Sequence, residues 1–283
     1  MRSPAFQAKA FHAFSKPGRR NYNEDAFFPA TEVEAADSRV FMVCDGVGGL
    51  DGGEHASRIV TEVFGQALQQ ASEVTAADID GLVDEVLSQL ADFQAGGGLD
   101  SAIASTLAMI HLGDEAVTWV HIGDSRIYQF RNAALLHRTS DHSFVQEMVN
   151  RGMLTAEEAL VHPKRNVITQ ALSSDAKKVE PTVERLEDVQ PGDVFLLCSD
   201  GVMEAIDDVG LAALAGRAAE ELPAVALEVQ ERCEVGSSDN NTAVWVVIGE
   251  RENVGEDQQP DESRAQGGGW FGIWQRLTKN LDQ

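Results

Sequence analysis

The stretch FMVCDGVGGLDGGEHAS, residues 41–57, joins the end of an apolar run to an acidic turn and the start of a helical pattern. The run RVFMVC at 39–44 is typical of a buried strand. Asp45-Gly46 follows it directly, and a Gly-rich turn then leads into apolar residues at helical spacing over 54–70. An Asp at the end of a buried strand is costly unless its charge is compensated. The stretch therefore predicts compensating groups near Asp45.

The same arrangement of an acid after an apolar run occurs twice more. Asp200 follows VFLLCS and Asp124 follows WVHIG. Each Asp-Gly pair alone is an ordinary tight turn. Three such acids on neighbouring strands would bring carboxylates to one edge of the sheets, where their repulsion raises their pKa values or demands cations. Hard oxygen ligands suit Mg²⁺ or Mn²⁺ rather than zinc, and the carbonyl of Gly46 is a further candidate ligand.

Two further acidic motifs fit this cluster. Asn23-Glu24-Asp25 follows the first predicted strand, and Asp239-Asn240-Asn241 precedes the last one. Each motif alone is a common polar turn, but five acidic motifs at strand ends are harder to assign to turns. Arg20 is either a solvated loop charge or a planar fork that grips a substrate phosphate beside the metals.

Hydrophobic periodicity predicts the elements around these motifs. Strands are predicted at 5–14, 39–44, 103–111, 116–122, 126–130, 134–137, 182–186, 194–198 and 242–248. Helices are predicted at 54–70, 76–92, twice within 143–161, and at 208–215 and 220–233. The triplet Gly96-Gly97-Gly98 is expected to break the second helix. Strand-rich blocks that flank paired helices predict an α+β fold of two antiparallel sheets with helices packed outside.

The composition predicts three parts of the chain. Residues 1–249 form the domain, and residues 250–269 hold almost no apolar side chain and are predicted to be a flexible acidic linker. Residues 270–283 form an amphipathic C-terminal segment with two tryptophans on one helical face. Three roles stay open for 270–281: an interfacial membrane anchor, a docking helix for a partner, and a disordered or self-docked terminus.

The charge of the chain excludes some functions. The formal net charge is −24, from 46 acids against 22 bases, which argues against nucleic-acid binding and against a nuclease. An ATP-using enzyme is disfavoured because the sequence contains no GxxxxGK[ST] phosphate-binding loop. Three widely spaced cysteines do not make a disulfide framework or a zinc site. Without a secretory leader or an 18-residue apolar run, a cytoplasmic protein is predicted.

Taken together, the motifs resemble the PPM/PP2C protein phosphatases, in particular the bacterial ones. The resemblance runs in order over roughly residues 6–249. It is carried by Arg20 with Asn23-Glu24-Asp25, the 41–57 stretch, Ser105-Thr106-Leu107, Gly123-Asp124-Ser125-Arg126, the segment 141–172, Cys198-Ser199-Asp200-Gly201 and Ser238-Asp239-Asn240-Asn241-Thr242.

This resemblance implies a four-layer α-β-β-α sandwich with two Mn²⁺ or Mg²⁺ ions at one end of the sheets. A third, more weakly bound ion is possible in the same family. It implies that Asp45 bridges two metals, with Gly46, Asp200 and Asp239 completing the pair. Glu24 and Asp25 would ligate directly or hold metal-bound waters, and these alternatives stay open.

The resemblance assigns the third ion to Asp124 together with Asp200, and phosphate binding to Arg20. It also implies that residues 141–172 contain a flap that affects substrate selection. Animal members carry a His, proposed as general acid, where this chain has Val47. The leaving-group proton must therefore come from elsewhere.

The function implied is a protein serine/threonine phosphatase in which a metal-bridging hydroxide attacks phosphorus directly. No cysteine is followed by an arginine at the spacing that is typical of a Cys-based phosphatase loop. The implied partners are phosphorylated proteins and a cognate bacterial Ser/Thr kinase. The main alternative is a pseudo-phosphatase that acts as a binding module. Such a protein would lack some of the metal-binding acids, whereas all the expected acids are present in this sequence.

Overall fold

The computed structural model describes residues 6–31, 35–47 and 52–250. In chain order its strands are β1 (Phe6–Lys16), β2 (Ala26–Phe28), β3 (Val40–Cys44), β4 (Gly46–Val47), β5 (Ala104–Ser105), β6 (Leu107–Leu112), β7 (Val117–Ile122), β8 (Arg126–Arg131), β9 (Ala134–Arg138), β10 (Leu172–Ser173), β11 (Thr182–Leu186), β12 (Val194–Cys198) and β13 (Asn241–Glu250). Its helices are α1 (Gly53–Leu68), α2 (Ala76–Gly97), α3 (Phe144–Asn150), α4 (Ala156–Leu160), α5 (Asp200–Ala205) and α6 (Asp208–Gly236).

The strands form two large antiparallel sheets. The first has the order β1-β13-β12-β8-β9 and the second the order β11-β7-β6-β3-β2, while β10-β5-β4 make a small third sheet. Successive side chains of a strand point to opposite faces. In β12, Phe195 and Leu197 pack with Phe41 and Val43 of β3 between the two sheets. In the same strand, Leu196 packs outward in the cluster that contains α6.

The outer faces of the sheets are covered by helices. The second sheet packs against α1 and α2, as the predominantly apolar cluster of Met42, Met109, Val60 and Val83 shows. Burial of these apolar faces is the main stabilising term of such layers. The observed order of layers is helix, sheet, sheet, helix, which confirms the predicted α-β-β-α sandwich.

Several helix ends follow their local sequence. Thr155 and Glu158 form a capping box at the start of α4, and Thr75 with Asp78 forms another at α2. Helix α2 continues five residues past the predicted end at 92, and it stops at the glycine triplet that was predicted to break it. Gly98 has a left-handed φ of 64°, and its amide donates to the Gln94 carbonyl.

Two other predictions meet different outcomes. The two helices predicted at 208–215 and 220–233 are two helical segments of α6 that meet at a kink, where Glu221 has a non-helical backbone (φ −127°, ψ 34°) two residues before Pro223. Proline lacks the amide donor and crowds the preceding turn, which explains a kink at this place. The predicted strand at 103–111 is two pieces, β5 and β6, which belong to different sheets.

The chain beyond Glu250 lies outside the described residues, and so do the predictions of a linker and an amphipathic C-terminal segment there. Strand β13 includes Glu250, one residue past the predicted domain end. None of the helices in the described ranges combines the length and the apolar character that crossing a bilayer requires. Cys44, Cys198 and Cys233 are buried and free, as expected of reduced core residues.

Candidate metal and phosphate site

Strand pairing brings two loops and a helix start together at one end of the first sheet. The last residues of β1 pair with the first residues of β13, which also pair with the last residues of β12. The loop after β1 carries Arg20, Glu24 and Asp25, Asp239 precedes β13, and Asp200 follows β12. These five side chains, which are far apart in sequence, therefore lie at the same end of the fold.

The second sheet adds its acids at this end. Ala26 in β2 pairs with Cys44 in β3, so the adjoining residues Asp25 and Asp45 are neighbours. The end of β3 pairs with the start of β6, which pairs in turn with the end of β7, and Asp124 follows β7. The turn that carries Asp124 leads into β8 of the first sheet, whose start pairs with the end of β12, so the two sheets present their acids to a common region.

Arg20 reaches into this group of acids. Its Nη2 donates to Oδ2 of Asp239 at 2.7 Å, and its side chain remains 60% exposed. The hydrogen bond and charge of Asp239 raise the pKa of Arg20 above its ordinary value. The neighbouring Arg19 instead donates to the carbonyl of Val235. Arg20 is thus a permanently charged, accessible fork beside the carboxylates.

The carboxylates perturb one another strongly. Burial raises the pKa of Asp45 well above its ordinary value, and the charges of Asp25 and Asp200 raise it further. Burial, followed by the charges of Asp124 and Asp239, likewise raises the pKa of Asp200. Burial raises the pKa of Asp124 to about 6. Ionisation of all these groups at neutral pH therefore needs a compensating positive charge.

Two buried carboxylate oxygens provide a test of whether metal ions fit this region. Oδ1 of Asp25 and Oδ1 of Asp200 are buried and have no hydrogen-bond partner among the described residues. The other oxygen of Asp25, Oδ2, accepts from Ser199 at 2.7 Å. Unpartnered oxygens within an acidic cluster fit hard divalent cations, which prefer oxygen ligands.

The acids do not form a closed cage. Within residues 6–31, 35–47 and 52–250, no group of three or more His, Cys, Asp or Glu side chains meets the geometry of a preformed metal site. Mg²⁺ usually takes only one or two carboxylates per ion and keeps several waters, so an ion bound here would need waters or substrate oxygens beside the acids.

The comparison with known proteins identifies the family. Residues 17–226 match the family model described as protein phosphatase 2C. The chain belongs to the protein phosphatase 2C family. The serine/threonine protein phosphatase PstP of Mycobacterium tuberculosis is 33% identical over 200 residues, which are 67% of this chain and 35% of PstP. The match thus spans about a third of the length of that relative.

Solved structures of this family share the fold. The crystal structure of the M. tuberculosis serine/threonine phosphatase PstP/Ppp has a TM-score of 0.71 and 29% identity, and covers 86% of this chain and 98% of that chain. The PstP catalytic domain in complex with two manganese ions has a TM-score of 0.70 and 28% identity, and covers 87% of this chain and 99% of that chain. Family membership and the likeness to a manganese complex agree with the donor set described above.

In this protein phosphatase 2C chain, Gly46 and Glu24 lie against the start of α1. A Cβ on Gly46 would lie 2.1 Å from the carbonyl oxygen of Gly53 and 2.6 Å from that of Glu24, so no other residue fits. The Gly46 amide donates to the Glu24 carbonyl at 3.1 Å. Burial raises the pKa of Glu24, and the charge of Arg20, followed by the nearby backbone of Gly53, offsets part of that rise.

Three polar residues support the acids, and the sequence analysis assigned them no role. The Ser199 hydroxyl donates to Asp25, and Thr106 Oγ1 accepts from the Asp45 amide at 2.9 Å. The Asn240 side chain accepts from the Glu24 amide and donates to two carbonyls of the 17–22 loop. All three residues lie inside the family motifs, and this position is the signal from which a supporting role could have been predicted. Motif spacing does not show which side chains hold the ligands in place.

His142 ties residues 141–172, the segment predicted to contain the flap, to the loop that carries Asp124. The His142 amide donates to the Gly123 carbonyl at 2.7 Å, and the Gly123 amide donates to His142 Nδ1 at 3.3 Å. The His142 carbonyl accepts from the Thr169 amide near the end of the flap, and Nε2 lies 3.0 Å from Thr182 Oγ1 in β11. One residue thus joins both ends of the flap to the body of the domain.

A cleft of about 900 Å³ opens beside the acids. One wall consists of α3, α4 and the adjoining flap residues, and the other includes α5 and the start of α6. Asp124 and Asp200 belong to its lining, so it is continuous with the acidic cluster. The bidentate pair of Arg126 and Asp141, with both contacts at 2.7 Å, also lines the cleft.

Proposed function

We propose that the protein is a metal-dependent protein serine/threonine phosphatase, a phosphoric monoester hydrolase. One observation carries the proposal: acids from both sheets converge, with two orphaned buried oxygens, beside the exposed guanidinium of Arg20. Family membership and the relatives named as serine/threonine phosphatases support the same conclusion. Since the match spans only about a third of PstP, activity and substrates are proposed for this chain from its own site.

Each candidate residue has a proposed part. Asp45, Asp200 and Asp239 hold two Mn²⁺ or Mg²⁺ ions, together with the carbonyl of Gly46. Asp25 contributes its unpartnered Oδ1, and Glu24 either ligates a metal ion directly or holds a metal-bound water.

Asp124 with Asp200 holds a third, weaker ion. Bound divalent ions would supply Lewis-acid charge and lower the pKa of a coordinated water, so that water serves as the nucleophile.

Arg20 binds the phosphate of the substrate. Its planar donors match two phosphate oxygens, and its charge offsets the repulsion between the dianion and the acids. Its exposure allows it to exchange Asp239 for a substrate oxygen. Positioning and charge stabilisation of this kind account for most of the catalysis in phosphoryl transfer.

The described cysteines do not support a phosphoenzyme route. Burial raises the pKa of the Cys44 thiol well above its ordinary value, raises that of Cys198, and raises that of Cys233 to about 12. A Cys nucleophile requires the thiolate at neutral pH. Hydrolysis by water at the acidic cluster remains the better supported route.

The proposed substrates are phosphoserine and phosphothreonine proteins, and the proposed partner is a cognate Ser/Thr kinase. Neither nucleic acid nor an anionic lipid surface suits a chain of formal net charge −24. Membrane or partner docking through 270–281 and a cytoplasmic location stay predictions.

The test is phosphate release from a phosphothreonine peptide while Mn²⁺ is titrated into metal-stripped protein. We expect activity that rises with Mn²⁺ and is nearly abolished in Asp45→Asn. The matched control is Asp84→Asn, which changes an exposed acid on α2. Folded protein that releases no phosphate at any metal concentration would reject the enzyme and favour a pseudo-phosphatase.

A further inference from the structure

The cleft beside the acidic cluster is larger and more apolar than a phosphate group needs. Its volume of about 900 Å³ is near the upper end of the range for ligand pockets. Leu160 of α4 and Val209 of α6 both line it, and they are 74% and 78% exposed. A concave site lined by apolar side chains together with a few polar groups is typical of ligand binding.

The apolar lining is continuous with the reaction site. Asp200 is the first residue of α5, and Met203, one turn further along the same helix, lines the cleft. Residues three apart lie on the same helical face. Val149 of α3 lines the cleft as well. A phosphoprotein substrate whose phosphate lies near Arg20 and Asp200 therefore has an apolar surface within reach of the residues that flank its phosphorylated residue.

The charges of the cleft select against an acidic occupant. Six acids and three arginines line it. Arg126 pairs with Asp141, and Arg138 pairs with Asp208, so two of the three cations are already neutralised. The rest of the charged lining is Arg165 and four acids, which leaves it net negative. An aliphatic side chain gains contacts here without leaving an unpaired charge, whereas a carboxylate would meet a net negative lining.

We infer that this cleft is a subsite for an aliphatic side chain of the phosphoprotein substrate, close in sequence to the phosphorylated residue. The inference rests on the proposed phosphatase function and adds a sequence preference to it. Leu160 and Val209 are specificity residues, because they contact the flanking residue rather than the phosphate. A buried hydrophobic contact of this size changes kcat/KM by about 10-fold or more.

The experiment uses the full chain with Mn²⁺ and nine-residue phosphothreonine peptides in a Ser/Gly background. A single Leu is moved through each position on both sides of the phosphothreonine, and a parallel series carries Asp. We expect Leu at one position, or at two adjacent ones, to raise kcat/KM about 10-fold over the parent peptide. Asp at that position should give no gain.

Leu160→Ser and Val209→Ser should bring the ratio of kcat/KM for the Leu peptide and the parent peptide close to one. The matched control Leu227→Ser, an exposed position on α6 outside the cleft, should keep the wild-type ratio. Because each ratio is taken within one protein, differences in folded fraction cancel.

Three results would overturn the inference. Equal rates on all peptides by an active wild-type enzyme would refute the subsite and leave the phosphatase function intact. A preference that survives both cleft substitutions would do the same. Dimerisation with rising concentration that Leu160→Ser abolishes would assign the apolar walls to a contact between copies. If folded protein with Mn²⁺ hydrolyses no peptide, the phosphatase proposal fails together with the subsite.

Discussion

Arg20 donates from Nη2 to Oδ2 of Asp239 at 2.7 Å, so the group proposed to grip phosphate lies against an acid proposed to ligate metal. The pair comes from the two ends of the domain, 219 residues apart. Both side chains are partly exposed, so the ion pair itself adds little stability. Its significance is positional: it holds the guanidinium at the metal cluster before substrate arrives.

This arrangement predicts that Arg20 acts in phosphate binding. Arg20→Ala should lower kcat/KM on a phosphothreonine peptide by about 10- to 100-fold, mainly through KM, because a charge-assisted bidentate contact is worth roughly 1.5–3 kcal/mol. Arg20→Lys should retain only part of the wild-type kcat/KM, since lysine lacks the planar guanidinium that binds two phosphate oxygens. Steady-state kinetics would check this, with Arg19→Ala as the neighbouring control. Equal losses in both alanine variants would point to general surface charge instead.

The metal-free protein should lose stability as pH rises. Burial and neighbouring acids raise the pKa of Asp200 to about 8, so the fold binds more protons than the unfolded chain between about pH 4 and pH 8. Its free energy of unfolding therefore falls as pH rises through that range. We expect a lower Tm at pH 8.5 than at pH 7, and a larger rise on adding Mn²⁺ at pH 8.5.

Asp200→Asn gives the matching test. It should raise the metal-free Tm at pH 8.5, by about 2–4 °C for each kcal/mol of repulsion removed, while activity is lost. His121 does not disturb the comparison. Burial lowers its pKa to about 4, so it destabilises the fold only below about pH 6.5. A metal-free Tm that is flat or rising between pH 7 and pH 8.5 would contradict the electrostatic account.

Thr106 should matter for both stability and activity. Its Oγ1 accepts from the Asp45 amide and contacts Ser125 Oγ at 2.7 Å, all in the interior. Thr106→Val keeps the shape but leaves the amide without a partner, which should cost about 1–3 kcal/mol in chemical denaturation. Thr61→Val is the control, because the Thr61 hydroxyl only contacts a carbonyl of its own helix. A smaller loss in Thr106→Val than in Thr61→Val would refute this role.

His142 should control the flap. Because His142→Ala removes the ring contacts with Gly123 and Thr182, we expect faster hydrogen exchange in residues 143–168. Activity on a phosphopeptide should fall several-fold more than activity on p-nitrophenyl phosphate, which does not reach the flap. His162→Ala is the comparison, since the His162 ring packs near Phe144 and accepts from the Lys164 amide, and both partners belong to the same segment. Unchanged exchange in His142→Ala would remove the basis for this role.

The fold and the placement of the acids could largely be predicted from the sequence because their signals are local. Buried strands such as VFLLC and VFMVC are continuous apolar runs, and an acid after each run marks a strand end. The division of α6 into two helical segments was also predicted, but the kink lies at Glu221, inside the predicted second helix, with Leu222 and Val225 packed in the core beside it.

The supporting contacts could not be predicted in the same way. The roles of Ser199, Thr106 and Asn240 depend on strand register and on loops that meet only in the folded chain. The cleft was equally hidden, because Leu160 and Val209 belong to helices distant in sequence.

The central claim is that the acids around Asp45 hold the metal ions that the reaction needs. The most direct test is anomalous diffraction at the manganese edge from crystals of the full chain grown with Mn²⁺. We predict two strong peaks within ligand distance of Asp45, one of them near the Gly46 carbonyl, and their loss in Asp45→Asn crystals. Crystals of active protein with no manganese peak near Asp45 would contradict the account.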